Sequence, residues 1–216
     1  KEIAKVCHEN NVLLVVDGAQ SAAHTKIDVQ DMDIDLMTMT AHKINGPKGI
    51  GALYICKGLN LPPYIMGGGQ ENGKRAGTES LPLIAAFGAA AEAAQKDFPA
   101  YGPRLAALRA HAIERLTAEN EQLVILGGGA PQILSISLPG WRSEVLMNAL
   151  EAKDIFVSKS SACKKGGRSH VLEAMGIDSK IIDGALRISF SRFTTEEDIL
   201  ALCTALKEAH DTLAHR

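Results

Sequence analysis

The chain has 216 residues, with 23 basic and 25 acidic side chains, a net charge of −2 and 46% hydrophobic residues. This balance gives no reason to expect a nucleic-acid partner, and no apolar run reaches the roughly 18 residues of a membrane span. The composition is typical of a globular protein with enough apolar residues to build a core.

The first hundred residues alternate helical and extended apolar patterns. A helix ends near Asn10, and His8 is expected on its solvent side. The uninterrupted apolar run at residues 12–16 predicts a strand buried on both faces, as in a parallel sheet. Residues 36–40 and 52–56 predict two more strands. Strands and helices joined by short links indicate an α/β fold class.

The middle of the chain contains a polar segment and two helical patterns. Residues 66–78 are rich in glycine and too polar for a core, so we interpret them as a long functional loop. Helices are predicted at residues 81–96 and 104–119. Pro99, between them, marks the predicted domain boundary, because proline ends most helices.

The second half reads as a smaller α+β unit. Strands are predicted at residues 133–138, 155–157 and 185–190, and a helix at 143–153. The first of these strands alternates Leu or Ile with Ser, so it is expected to be half exposed.

The last strand and the last helix carry two further signals. Alternation in the strand places Arg187 on the face opposite to Leu186 and Ile188. Thr194 and Glu197 form a capping-box pattern, which predicts the start of a final helix that runs to about Leu213.

A lysine and a carboxylate each follow a predicted strand. Lys43 follows the apolar run at 36–40, where partial desolvation would make its amine a usable nucleophile. Asp17 ends the run at 12–16, and strand ends in α/β sheets are where ligands bind. Asp17 could equally cap a helix or a turn, but together the two residues favour a joint site.

Cys163 is the cysteine whose surroundings favour reactivity. It lies in a Ser/Gly-rich segment beside Lys164, Lys165 and Arg168, and neighbouring cations favour a thiolate. The other cysteines lie in apolar patterns and are interpreted as core residues. No cysteine pair has CxxC spacing and no metal-ligand pattern is present, so we expect no metal site. Free thiols are typical of a reducing cytoplasm, which predicts a cytoplasmic location.

Five segments occur in an order that is specific for one protein family. They are residues 16–21, 40–51, 75–78, 160–163 and 186–197. Together they resemble the cysteine desulfurases of the NifS/IscS type, which are pyridoxal-phosphate (PLP) enzymes with the class V aminotransferase fold. The resemblance implies that residues 1–98 are part of a fold type I large domain, like that of aspartate aminotransferase. Residues 99–216 would be a small C-terminal α+β domain.

The resemblance also implies roles for the residues of the cofactor pocket. Lys43 would form the Schiff base with pyridoxal 5'-phosphate, and Asp17 would pair with the ring nitrogen. Gln20 would bind the phenolic oxygen of the ring. Thr40 and His42 would bind the phosphate.

Three more residues receive roles from the same resemblance. Thr78 would reach the phosphate of a partner subunit, which implies a homodimer. Arg187 would hold the carboxylate of the substrate L-cysteine, as its planar guanidinium suits. Cys163 would take the sulfur as a persulfide, release alanine and pass the sulfur to an acceptor protein such as an iron–sulfur scaffold.

Members of this family are nearly twice as long, so the chain resembles a C-terminal fragment. We therefore expect residues from about 100 onward to fold alone, and the first part to pair with another copy or with a separately supplied N-terminal piece. Two alternatives stay open. One is a selenocysteine lyase or another class V aminotransferase, and the other is an inactive fragment that serves as a folded or dimerising module.

Overall fold

The chain forms two compact units, Lys1–Ala100 and Tyr101–Arg216, which we call unit 1 and unit 2. The structure is a computed structural model that describes residues 1–159 and 168–212. Each unit contains a three-stranded sheet of its own. The division lies next to the boundary predicted at residue 99; the assignment of the units to a large and a small domain stays a prediction.

Unit 1 is built on a mixed sheet with the strand order β1-β2-β3. β1 runs parallel to β2, and β2 runs antiparallel to β3. The elements are α1 (Glu2–Glu9), β1 (Val15–Asp17), β2 (Leu36–Thr40) and β3 (Gly51–Ile55). The predicted bounds of β2 are confirmed, and β3 begins one residue earlier than predicted.

The prediction of a fully buried strand at residues 12–16 is wrong. β1 begins only at Val15, and the side chains of Val12 and Val15 are 54% and 60% exposed. β1 lies at the edge of its sheet and has a neighbour on one side only, so its backbone and side chains stay accessible.

The prediction that His8 faces solvent is incomplete, because both nitrogens of its ring contact carboxylates. Its Nδ1 lies 3.0 Å from Asp33 Oδ2 and its Nε2 lies 2.8 Å from Asp35 Oδ2. Asp35 Oδ2 also accepts a hydrogen bond of 2.7 Å from the backbone N–H of Leu14. These contacts fasten α1 to the segment that leads into β2.

The two helices predicted on either side of Pro99 are one helix, α2 (Leu81–Glu119), which begins in unit 1 and ends in unit 2. A proline inside a helix lacks the N–H of the hydrogen-bond ladder, and its ring crowds the carbonyl four residues earlier. On the C-terminal side, Leu105, Leu108 and Ala112 are buried at helical spacing. Burial of that face offsets the cost of the proline.

Unit 2 contains an antiparallel sheet with the order β4-β5-β6. Its further elements are β4 (Val124–Ile125), β5 (Ile133–Ser137), β6 (Ala185–Ser189), α3 (Ser143–Glu151), α4 (His170–Ala174), α5 (Ser179–Asp183) and α6 (Glu196–Thr212). A hydrophobic core between the sheet and its helices includes Leu134, Leu146 and Leu202.

Three predictions for unit 2 need correction. Residues 155–157 are not a strand. Ser137 is fully buried rather than exposed. Its hydroxyl can be buried because it donates a hydrogen bond of 2.5 Å to the Ile181 carbonyl. The capping box of α6 is formed one residue later than predicted, by Thr195 and Asp198, whose side chains each accept from the other's backbone N–H.

Candidate active site

Several polar residues of unit 1 lie where the parallel strands β1 and β2 end. In the register of the pair, Asp17 lies opposite Thr38, and Thr40 ends β2. A short 3-10 turn, Ala41–Lys43, follows directly. The carboxyl ends of parallel strands form the ligand-binding edge of α/β sheets, so this edge is the candidate cofactor site.

The Asp17 carboxylate is held by two donors. Its Oδ1 accepts hydrogen bonds of 3.0 Å from the backbone N–H of Ala19 and of 3.0 Å from the hydroxyl of Thr38. The Ala19 N–H, and then the Thr38 hydroxyl, lower the pKa of Asp17 below its usual value. Asp17 is therefore a fixed anion at neutral pH, suited to a protonated ring nitrogen.

Gly18 lets the turn after Asp17 approach β2 closely. Its N–H donates to the Thr38 carbonyl at 3.0 Å. A Cβ on Gly18 would lie 2.1 Å from Met37 Cε and 2.7 Å from the Thr38 carbonyl oxygen. Only glycine fits here, so the position of the Asp17 turn depends on this residue.

The turn after β2 presents a hydroxyl, an imidazole and an amine in succession. Thr40 Oγ1 and His42 Nδ1 lie 2.8 Å apart. Ala41 between them is fully buried, and its carbonyl accepts from the N–H groups of Ile44 and Gly46 at 3.0 and 2.9 Å. The buried alanine fixes the turn, while His42 stays exposed.

Lys43 ends this turn and is half-buried. Its backbone carbonyl accepts a hydrogen bond of 3.0 Å from His24 Nε2, a contact that sequence reasoning did not predict. No spacing signal links His24 to Lys43. The contact of Thr38 with Asp17, by contrast, follows from the register of the two parallel strands, in which these residues lie opposite each other.

The other two predicted residues of unit 1, Gln20 and Thr78, have exposed side chains. Gln20 lies in the turn after β1, at the same sheet edge, with an exposed side chain. Thr78 lies in a separate loop and is also exposed. The 3-10 turn Gln70–Gly73 precedes it, and Gln70 Oε1 accepts a hydrogen bond of 3.2 Å from the N–H of Gly77. Gln20 therefore follows the end of β1 directly along the chain, whereas Thr78 lies in the loop between the 3-10 turn and α2.

In unit 2, the structure describes Arg187 but not Cys163, which lies outside the described residues. Arg187 is half-buried in β6 and exchanges backbone hydrogen bonds of 2.5 and 3.1 Å with Ser158. Its Nε is buried and has no hydrogen-bond partner among the described residues. A buried guanidinium N–H without an acceptor calls for a ligand that can supply one, and a carboxylate does so.

Two other classes of site find no support in the part of the chain that the structure describes. No group of three or more His, Cys, Asp or Glu side chains there could hold a metal ion. Within the same residues, no helix combines the length and the apolar character that crossing a membrane requires.

Comparison with known proteins finds relatives that match almost the whole chain. The profile of the family described as aminotransferase class-V matches residues 1–202. The cysteine desulfurase IscS of Clostridium botulinum is 39% identical over 206 residues, which are 92% of this chain and 52% of the relative. The mitosomal cysteine desulfurase of Encephalitozoon cuniculi is 38% identical over 216 residues, covering 97% of this chain and 49% of the relative.

Solved structures give the same result. A NifS-like protein superposes with a TM-score of 0.85 at 32% identity, covering 94% of this chain and 54% of the other. A NifS-like protein from Rickettsia africae superposes with a TM-score of 0.86 at 27% identity, covering 98% and 57%. The chain thus spans about half the length of the curated relatives that it matches.

Proposed function

The chain belongs to the class V aminotransferase family, and from this premise we propose that it carries the cofactor and substrate groups of a PLP-dependent cysteine desulfurase. One observation carries the proposal. The ionised Asp17 and the Thr40–Lys43 turn end two neighbouring parallel strands of one sheet. Relatives described as cysteine desulfurases, at 36–39% identity, support the choice of reaction.

The donor set at this edge fits pyridoxal 5'-phosphate. Asp17 supplies a fixed anion for the ring nitrogen, and Lys43 supplies a primary amine for the aldehyde. Thr40 and His42 supply a hydroxyl and an imidazole for the phosphate, and Gln20 an amide for the phenolic oxygen. When bound, the cofactor would act as an electron sink for bonds at the α-carbon of an amino acid.

Arg187 and Cys163 would act on the substrate, L-cysteine. The buried Arg187 Nε would donate to the substrate carboxylate and orient the amino acid. The Cys163 thiolate would form an S–S bond to the substrate sulfur as the substrate's Cβ–S bond breaks. The electron pair stays on Cβ, which takes up a proton, so that alanine leaves and the enzyme keeps a persulfide.

The wider arrangement is proposed on the same basis. Unit 1 would belong to the fold type I large domain, and unit 2 would be the small domain that carries Cys163. Thr78 would bind the phosphate of a partner subunit, so the active protein would be a homodimer. A sulfur-acceptor protein would take the persulfide sulfur, and the location would be cytoplasmic.

Borohydride trapping tests the cofactor site. The protein, expressed from its complete reading frame, is loaded with PLP, reduced with borohydride and mapped by peptide mass spectrometry. The label is expected on Lys43 and is expected to disappear in Lys43→Ala, while Lys48→Ala keeps it. A label on Lys48 or Lys74 would overturn the assignment of the site.

Turnover tests the reaction. Alanine and sulfide are expected from L-cysteine in the presence of a reductant. The Cys163→Ser variant should lose sulfide release yet keep the Lys43 label, whereas Cys56→Ser should keep both. Alanine formation from selenocysteine but not from cysteine would instead support a selenocysteine lyase.

A further inference from the structure

The side chain of His24 donates a hydrogen bond to the backbone of Lys43. Its Nε2 lies 3.0 Å from the Lys43 carbonyl oxygen, and His24 is half-buried. A carbonyl oxygen can only accept, so Nε2 carries a proton of the ring. Lys43 ends the 3-10 turn, and the last carbonyls of a helical turn have no partner within it. The imidazole thus supplies a donor that the turn itself lacks.

The backbone between the end of β1 and His24 is held by its own hydrogen bonds. The Gly18 carbonyl accepts from the N–H of Ala22 at 2.9 Å, and the Ser21 carbonyl accepts from the N–H of His24 at 3.0 Å. Gly18 is in turn held against β2, because its N–H donates to the Thr38 carbonyl at 3.0 Å. A connected series of hydrogen bonds therefore joins the ends of the two strands to the imidazole.

Ala23, directly before His24, has a left-handed backbone with a φ of 59°. This conformation is uncommon for a residue with a Cβ other than asparagine or aspartate, because the Cβ approaches the backbone too closely. Such strain persists only where the surrounding structure enforces it, and it clusters at functional sites. Here the strained residue sets the direction from which the His24 ring reaches the Lys43 carbonyl.

The contact joins the two turns that carry the candidate cofactor groups. Asp17 begins the turn after β1, and Lys43 ends the turn after β2. In the proposed function, Asp17 meets the ring nitrogen of PLP and Lys43 meets its aldehyde. The pyridine ring is rigid, so both groups must lie at the right separation at the same time, and small errors in such placement slow a reaction strongly.

We propose that His24 is a positioning residue, which sets the place of the Lys43 amine relative to the Asp17 carboxylate by holding the Lys43 carbonyl. It acts through the Lys43 backbone and not on the reacting atoms. The inference rests on the proposed function, since the Schiff base belongs to that function. Asp17, Thr40 and His42 have hydrogen bonds of their own. Loss of the His24 donor should therefore displace the amine and leave the other groups in place.

Three variants separate the donor from the bulk of the ring. His24→Phe keeps an aromatic ring and removes the donor, whereas His24→Gln places an amide N–H close to the position of Nε2. His8→Phe is the matched control, because it makes the same change at another hydrogen-bonded histidine of unit 1. All are made in the protein expressed from its complete reading frame.

The first measurement needs no cofactor. Nitrogen-15 NMR of the histidine-labelled wild-type protein should show the neutral His24 ring as the Nε2–H tautomer. Because that proton is hydrogen-bonded and half-buried, it should exchange with water at least about tenfold more slowly than the ring proton of the exposed His42. A neutral His24 ring protonated at Nδ1 instead would overturn the proposal.

The second measurement is the rate at which Lys43 becomes labelled after PLP is added, with borohydride as the quench at timed intervals. A reacting group misplaced by about 1 Å lowers a rate up to about 100-fold. The rate should therefore fall about tenfold or more in His24→Phe and return to within about threefold of wild type in His24→Gln. In His8→Phe it should stay within about twofold of wild type, because that change lies away from both turns.

Each outcome decides. Equal labelling rates in His24→Phe and His8→Phe overturn the proposal, and so does a rate in His24→Gln as low as that in His24→Phe. If the wild-type protein labels Lys43 but forms no alanine from cysteine, the proposed reaction fails while the labelling rates still decide the role of His24. Circular dichroism verifies that the variants are folded. If His24→Phe is not, His24→Asn takes its place, since its shorter amide does not extend to the position of Nε2.

Discussion

Unit 1 and unit 2 differ in how well each buries its own apolar residues. The hydrophobic core of unit 2 encloses Leu134 and Ile136 completely. In unit 1, Val12, Val15 and Leu53 are each more than half exposed. Both units contain a three-stranded sheet, so the difference lies in what covers the strands. Unit 2 has helices packed on its sheet, whereas the edges of the unit 1 sheet are open.

The less buried unit carries the candidate cofactor site. Asp17 ends β1 and Lys43 follows β2 in the open sheet, and an apolar cavity of about 640 Å³ lies beside Met37, Met39 and Phe87. Open strand edges and an uncovered apolar face favour pairing with further polypeptide. We therefore predict that unit 1 is stabilised by another copy or by a separate piece of chain, whereas unit 2 is stable by itself.

A pair of identical substitutions tests the comparison most strongly. Leu134→Ala removes a fully buried side chain from unit 2 and should cost about 2–5 kcal/mol of unfolding free energy. Leu13→Ala, at a side chain that is 47% exposed in unit 1, should cost less than about 1 kcal/mol. Urea unfolding followed by Trp141 fluorescence reports unit 2, and circular dichroism reports both units. Equal costs would contradict the comparison.

Some features of both units follow from sequence because they depend on local patterns. The bounds of β2 follow from an apolar run between an acidic stretch and a breaker-rich turn. That run also places Lys43 directly after a strand. In β6, simple alternation places Arg187 opposite the buried side chains of Leu186 and Ile188. These positions need no knowledge of the rest of the fold.

Other features depend on tertiary partners and could not be predicted. The apolar run at 12–16 indicates a strand suited to burial, but it does not say whether neighbouring strands are present to cover it. The contact of His24 with the Lys43 carbonyl joins residues that no spacing rule connects. The helix α2 continues past Pro99 because packing of its later turns outweighs both the hydrogen bond that the proline removes and the crowding by its ring.

Hydrogen exchange sharpens the comparison at the level of single strands. In a dilute, monomeric sample without cofactor, the backbone amides of β1 should exchange about 100-fold faster than those of β5, because β1 opens locally. Adding PLP or raising the protein concentration should slow exchange in β1 and leave β5 unchanged. Strong protection of β1 in the dilute sample would show that unit 1 needs no partner.

A glycine tests whether the site itself depends on close packing in unit 1. Gly18→Ala places a methyl group against Met37 and the Thr38 carbonyl, so it should cost about 1–3 kcal/mol. It should also weaken the borohydride label on Lys43. Gly69→Ala is the control, since a Cβ there meets no atom within 4 Å. Wild-type stability in Gly18→Ala would show that the turn can move away from β2.

The smallest effect concerns the contacts of His8 with Asp33 and Asp35, which we call the clamp and which fasten α1 within unit 1. The hydrogen bond to Asp35, together with the charges of Asp35 and Asp33, raises the pKa of His8 above 6.5 despite partial burial. The hydrogen bonds from His8 and from the Leu14 N–H lower the pKa of Asp35 below 3.8. Across the clamp, the Cys56 thiol also faces Asp35, and burial and the negative charge raise the pKa of that thiol.

The sign of the pH dependence follows from these directions. The stabilisation by His8 is fully present below pH 6.5 and is lost as the pH rises through its raised folded-state pKa. The stabilisation by Asp35 is present above pH 3.8 and is lost as the pH falls through its lowered pKa. The clamp therefore contributes most between these limits. His8→Gln should lower the urea midpoint of unit 1 at pH 5.5, and this effect should shrink as the pH rises through the folded-state pKa of His8. Titration of the His8 ring by NMR gives its pKa directly, and Asp35→Asn should lower that pKa more than Asp33→Asn. A His8 pKa at or below 6.5 would show that the two carboxylates do not hold an imidazolium in solution.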